Sequence, residues 1–178
     1  MMKLEILLLI ILVIGLVLTF IIINNKYKNK NGGYPLDIPE KDIITYYPKI
    51  EKIDGFDKEL LGLVNNHRQE MGLNTVISER LCRDLAYEHV KYMIEKGKPS
   101  HDLFIKRRYE LYRRGATAFG ENVAYGYTSS EGMFLAYLAS EGHKKVIETE
   151  RFTHVGVVTL QDKNNKNYNA LMFAEFKQ

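Results

Sequence analysis

Four short phrases in the second half of the chain carry the side chains most able to do chemistry. They are Ser100-His101, Gly120-Glu121-Asn122-Val123-Ala124, Ser140-Glu141-Gly142-His143 and Thr153-His154-Val155-Gly156-Val157. Each sets an imidazole or a carboxylate beside small or turn-forming residues, where a side chain can leave a rigid element and enter a shared cleft. Histidine and glutamate together can bind a divalent metal, move a proton, or hydrogen-bond to one another. The residue types leave all three open. Two neutral imidazoles with one carboxylate and a water would make an open, four-coordinate zinc site. Separations of 20 residues from His101 to Glu121 and 22 from Glu121 to His143 match no local metal motif, so only the fold can bring them together. No activated nucleophile accompanies them, because Ser100 and His101 are neighbours whose side chains point apart in an extended link.

The elements that must position these groups follow from periodicity. Leu60, Leu61, Val64, Arg68 and Met71 recur at helical spacing, with Asp57 as an early acidic residue and Gly72 as the stop. A second helix is expected over residues 78–96, with Leu81, Cys82, Leu85, Ala86, His89 and Met93 on one face and Gly97 at its end. Pro99 forces an extended link, Asp102 is placed to cap a third helix over 103–114, and Gly115 ends it. A fourth starts at Ser129 or Ser130, turns Met133, Phe134, Tyr137 and Leu138 inward, and gives way near Ser140. Residues 154–161 and 168–176 are rich in Val, Tyr and Phe and flank an Asp-Lys-Asn-Asn-Lys-Asn turn, which predicts an antiparallel hairpin. A further strand is expected over 121–125. Helices first and strands last argue for an α+β domain with its sheet covered by helices.

Residues 6–23 form an apolar run relieved only by Gly15 and Thr19, long enough to span a bilayer as a helix. No small-residue cleavage pattern follows it, so an uncleaved anchor over 4–23 is expected. Residues 24–56, rich in Lys, Asn, Gly and Pro, read as a tether, and 57–178 as the domain. Lys26, Lys28 and Lys30 after the run favour a cytoplasmic domain by lysine counting, a bias that exported domains can override. The one cysteine, Cys82, excludes an intrachain disulfide and a Cys-based zinc site, and its position in an apolar helical face reads as a packing thiol. A net charge of +3 gives no reason to expect nucleic acid.

The remaining polar residues read more plainly. His89, on an apolar helix face, is expected to be a hydrogen-bonded core residue or a support for the cleft. Arg68 suits a hydrogen bond to buried carbonyls, and His67 suits the surface. Lys106-Arg107-Arg108 and Arg113-Arg114, interleaved with Tyr109 and Tyr112, form either a solvated helix face or a grip for anionic headgroups or polymers.

The ordered set Asn65-x-x-Arg68-x-x-x-Gly72-Leu73, Leu85-Ala86-x-x-His89-x-x-x-Met93, Ser100-His101, Gly120-Glu121-Asn122-Val123-Ala124, Gly142-His143 and Gly156-Val157 resembles the CAP superfamily of cysteine-rich secretory, antigen five and pathogenesis-related proteins (the SCP domain), and most of all its compact bacterial branch. The resemblance implies an α-β-α sandwich with a cleft of two histidines and two glutamates, to which some members bind zinc or another divalent ion. His101 is similar to the first cleft histidine, Glu121 to the first glutamate and His143 to the second histidine. For the second glutamate the chain offers Ser140 and then Glu141, with no clear counterpart. Tyr137 stands where bacterial relatives often carry Trp, and Val146 where Asn is usual. His101 and His143 are therefore the candidate metal ligands, and Glu141 and His154 further cleft candidates.

The resemblance implies a domain outside the cytoplasm, held by a single-pass anchor in the cell membrane. The expected function is a monomeric binding module for a lipid, peptide or envelope polymer. The alternatives are a metal-dependent hydrolase with Glu121 as general base, and a purely structural envelope protein.

Overall fold

The computed structural model describes residues 55–176, so the expected anchor and the tether before Gly55 lie outside the described residues. Among the described residues no helix is long and apolar enough to cross a membrane. The elements in order are α1 (Gly55–Glu70), β1 (Ile77–Ser78), α2 (Arg80–Lys96), α3 (Phe104–Arg113), β2 (Ala116–Tyr125), α4 (Ser130–Ala139), α5 (Glu141–Ile147), β3 (His154–Gln161) and β4 (Asn167–Phe176). The strands form one sheet in the order β1-β3-β4-β2. β1 runs parallel to β3, and β4 is antiparallel to both β3 and β2. β2 is therefore an edge strand.

Alternation along β4 divides the core into two layers. Tyr168, Ala170, Met172 and Ala174 join Cys82, Leu85, Ala86, Val90, Met93 and Leu111 on one side. Leu171 and Phe173 join Leu60, Val64, Met133, Phe134, Tyr137 and Ile147 on the other. A period of two on the strand thus meets helical periodicity on both faces, with α2 and α3 covering one and α1, α4 and α5 the other. The result is the three-layer α+β sandwich expected from the sequence.

Local chemistry sets the ends of α2. Glu79 caps it through a hydrogen bond from the Cys82 amide, and Gly97, at φ 70, closes it in the left-handed conformation that glycine adopts most easily. α2 lies directly on β3 because Gly156 has no side chain: a Cβ there would sit 2.1 Å from the Cys82 carbonyl carbon. Cys82 is buried as expected, and burial pushes its thiol pKa well up.

Four elements differ from the sequence expectation. α3 is not capped by Asp102; its N-cap is Leu103, while the Asp102 carboxylate accepts a hydrogen bond from the Tyr92 hydroxyl. β2 begins at Ala116 rather than near Glu121, its early part pairing with β4 through a register shift between Ala116 and Ala118. The seven-residue α5 and the two-residue β1 were not foreseen, since each is too short to show a period and is held from outside. Asn65 holds the approach to β1 by bonding both the amide and the carbonyl of Val76. His67, expected at the surface, is half-buried, bonded to Glu148 at 2.8 Å and edge-on to Phe134.

Gly156 and Gly62 make an opposed pair. Gly156→Ala forces backbone apart and should destabilise the protein by about 1–3 kcal/mol or more. Gly62, inside α1 with nothing near a Cβ, should gain about 0.5–1 kcal/mol on replacement by Ala. Thermal unfolding of the two variants checks both signs.

Candidate functional site

Glu121 lies on the edge strand β2, and its side chain is 0% exposed. A buried carboxylate requires partners, and this one has them on both oxygens. Arg107 clamps it in a two-point fork, Nε to Oε2 at 2.7 Å and Nη2 to Oε1 at 2.8 Å. His101 Nδ1 donates to Oε1 at 2.8 Å. Burial alone would raise the Glu121 pKa, but the hydrogen bonds from His101 and Arg107 and the charge of Arg107 outweigh it and hold the group below its usual value. The fork is the geometry in which arginine and carboxylate interact most strongly.

The same cluster fixes the loop that carries His101. Arg107 Nη1 donates to the Asp102 carbonyl at 2.6 Å, and His89 Nε2 donates to the Ser100 carbonyl at 2.8 Å. His101 is thus pinned through the residue before it, the residue after it and its own ring. Its side chain is nevertheless 52% exposed. With Nδ1 turned to Glu121, Nε2 is the nitrogen left for a ligand. A carboxylate behind an imidazole orients the ring and makes its other nitrogen a better donor, as the supporting carboxylates of metal-bound histidines do.

His89 is buried as expected, with Nε2 3.7 Å from Glu121 Oε1 and Nδ1 lacking a hydrogen-bond partner. Burial first, then the nearby Arg107 charge, lowers its pKa. A neutral ring fits this place: Nε2–H meets a carbonyl, and a proton on Nδ1 would meet nothing.

His143 comes from the opposite helical layer. Successive β2 residues face opposite ways, so Glu121 joins the α2/α3 side while Asn122 bonds the His143 carbonyl at 3.0 Å. The half-buried His143 ring stands edge-on to Tyr137, with centroids 5.3 Å apart. Its pKa is lowered by burial and then by the charge of His101. The far end of α5 is held by Arg68, which is fully buried and donates to the carbonyls of Asn74, Ile147, Thr149 and Phe152, the role expected for it. Glu141 is exposed in the first turn of α5. His154 bonds Thr153 Oγ1 and lines a separate hollow with Glu79, Leu81, Arg114 and Phe176.

Sequence reasoning missed Arg107, which it grouped with the basic run of α3. Phe104, Arg107 and Leu111 recur at i, i+3 and i+7, so the period does place Arg107 on the inner face. Among the described residues no group of three or more His, Cys, Asp or Glu side chains is placed to hold a metal ion.

The three-layer sandwich, with helices on both faces of a four-stranded sheet, defines the class, and comparisons with known proteins agree. The model of the cysteine-rich secretory protein (CAP) family matches residues 61–174, and the chain belongs to that family. It is 30% identical over 108 residues to the uncharacterized membrane protein YlbC of Bacillus subtilis, a match covering 57% of this chain and 30% of that protein. The chain spans less than half the length of the curated relatives it matches. Among solved structures, an outer surface protein of Borrelia burgdorferi superposes with a TM-score of 0.62 at 21% identity, covering 67% of this chain and 92% of that one. An extracellular protein of Bacillus anthracis containing an SCP domain gives 0.60 at 25% identity, covering 68% and 40%.

Arg107→Met tests the cluster. It leaves a buried carboxylate unpaired and frees the loop at Asp102, so a loss of about 3–5 kcal/mol is expected. His101→Ala, which removes a half-exposed ring, should cost far less. Chemical denaturation of both variants measures the difference.

Proposed function

We propose that this CAP domain is an envelope-facing binding module, held at the cell membrane by residues 4–23, which takes a lipid, peptide or envelope polymer at the edge of β2 between His101 and His143. The observation that carries the reading is the double engagement of Glu121. A carboxylate forked by Arg107 and lowered in pKa is a poor general base, since that role wants a pKa near the working pH. The same engagement makes Glu121 a good anchor for His101, whose exposed nitrogen then meets a ligand in a fixed direction. Recognition by a few oriented polar groups suits binding, whereas the hydrolase reading needs a free base and an oxyanion-stabilising group.

A divalent ion such as zinc, where one takes part, would be held by His101 Nε2 and His143, with Glu121 behind His101 rather than on the metal. It would supply a Lewis-acidic contact to a ligand's carbonyl or phosphate oxygen. An envelope location is supported by the similarity to a membrane protein and to an extracellular SCP-domain protein.

The test passes envelope extract over the immobilised full-length chain. A ligand retained at up to one equivalent and lost in His101→Ala/His143→Ala is the expected result. Accumulation of a cleaved product beyond one equivalent would replace the binding reading with the hydrolase. Retention unchanged in the double variant would move the ligand site elsewhere.

A further inference from the structure

α3 divides its basic residues between two uses. Arg107 and the one acidic residue of the helix, Glu110, turn inward and are buried. Lys106, Arg108, Arg113 and Arg114 keep solvent exposure; Arg113 also reaches the buried Glu110 carboxylate at 3.8 Å and Arg114 borders the hollow with Glu79, which leaves Lys106 and Arg108 as the cations of the outer face. Large apolar groups share that face: Ile105 is 50% and Tyr112 42% exposed, and Leu103, at the N-cap, is 56% exposed. Ile105, Arg108 and Tyr112 lie at i, i+3 and i+7, one stripe along the helix. The arginines lie against the aromatic rings, Arg108 over Tyr112 at 5.1 Å and Arg113 over Tyr109 at 6.0 Å.

Leu103 is the least expected member. It adopts φ 61, a left-handed conformation that disfavours ordinary side chains, and makes no side-chain cap bond. Glycine or asparagine would sit there more easily, and the core does not use its side chain. An apolar group held outward at an unfavourable backbone position calls for a use outside the fold. Leu103 and Lys106 border a groove whose far side, on α2, carries Glu88, Lys91 and Glu95, a mixed-charge wall beside the cationic stripe of α3.

We propose that the outer face of α3 docks on the surface of an anionic phospholipid bilayer, with Leu103, Ile105 and Tyr112 entering the interface and Lys106 and Arg108 meeting lipid phosphates. Basic and apolar side chains on one helix face are what interfacial binding requires. A soluble anionic polymer would use the cations but leave the three apolar groups in water. The proposal rests on the anchor reading for proximity alone: the 31 residues 24–54 reach about 100 Å at full extension, which keeps the domain beside its own membrane.

The experiment uses the full chain in lipid nanodiscs, with Ile105→Cys carrying an environment-sensitive fluorophore; Cys82 is buried and shielded from the label. A second protein carries the label at Lys163→Cys, in the exposed turn before β4. Discs of phosphatidylcholine are compared with discs of phosphatidylcholine and phosphatidylglycerol at 3:1. Carbonate-resistant retention in either disc reads the anchor separately. Docking gives a blue shift and loss of aqueous quenching at 105 on the anionic discs only, none at 163, and reversal by salt. Each cation near such a surface contributes about fivefold, so Lys106→Glu/Arg108→Glu should lower the docked fraction more than tenfold, with the thermal transition confirming the fold. A label at 105 that stays quenched on anionic discs overturns the proposal, whether or not the chain is retained. A shift produced by soluble polyphosphate but not by the anionic discs overturns it in favour of a polymer ligand.

Discussion

The fork between Arg107 and Glu121 is the interaction on which the candidate site depends. An edge strand usually carries side chains whose outer groups meet water, yet here its central carboxylate is fully enclosed. Enclosing one charge is unfavourable, and enclosing two is tolerable only when geometry and hydrogen bonding are nearly complete. Completeness comes from the backbone: the third arginine donor takes the Asp102 carbonyl, and His89 takes the Ser100 carbonyl. The ion pair and the His101 loop therefore fold as one unit, and an exposed imidazole gains the fixed direction that a loop alone would not give it.

A second arginine does the corresponding work in the opposite layer by other means. Arg68 has four carbonyls and no carboxylate, so it draws chain segments together through its planar array of donors. Ile147 and Thr149 bring the end of α5 into that set, and Asn122 holds the helix at His143. A seven-residue helix has little stability of its own. Its position, and that of its histidine, is thus set by side chains from β2 and α1. The two histidines come from different layers, His101 on a loop tied to Glu121 of β2 and His143 on a short helix tied to Asn122 of β2.

Much of this was legible in the sequence, for identifiable reasons. Long periodic helices announced themselves through Leu60 and Val64 or through Leu85, Ala86 and His89, and the hairpin through its Asn-rich turn. Arg68 was legible because it continued an apolar stripe. Arg107 obeyed the same rule, but basic neighbours on both sides masked it, since a run of like charge ordinarily faces solvent. The cap of α3 misled for a related reason: Asp102 is the favoured residue type, but Tyr92 claims its carboxylate. Short elements such as β1 and α5 carry no period, and their existence depends on partners distant in sequence. Candidate residues could thus be named from motif order, while their roles required knowing which charge each one faces.

The central claim is that Glu121 is an ionised, arginine-bound anchor for His101 rather than a free acid or base. The direct measurement is the carboxyl carbon shift of Glu121 by NMR across pH. The account predicts a titration midpoint below the ordinary glutamate value of about 4.3, moving upward in Arg107→Met. A wild-type midpoint at or above about 6, where a general base would operate, would contradict it.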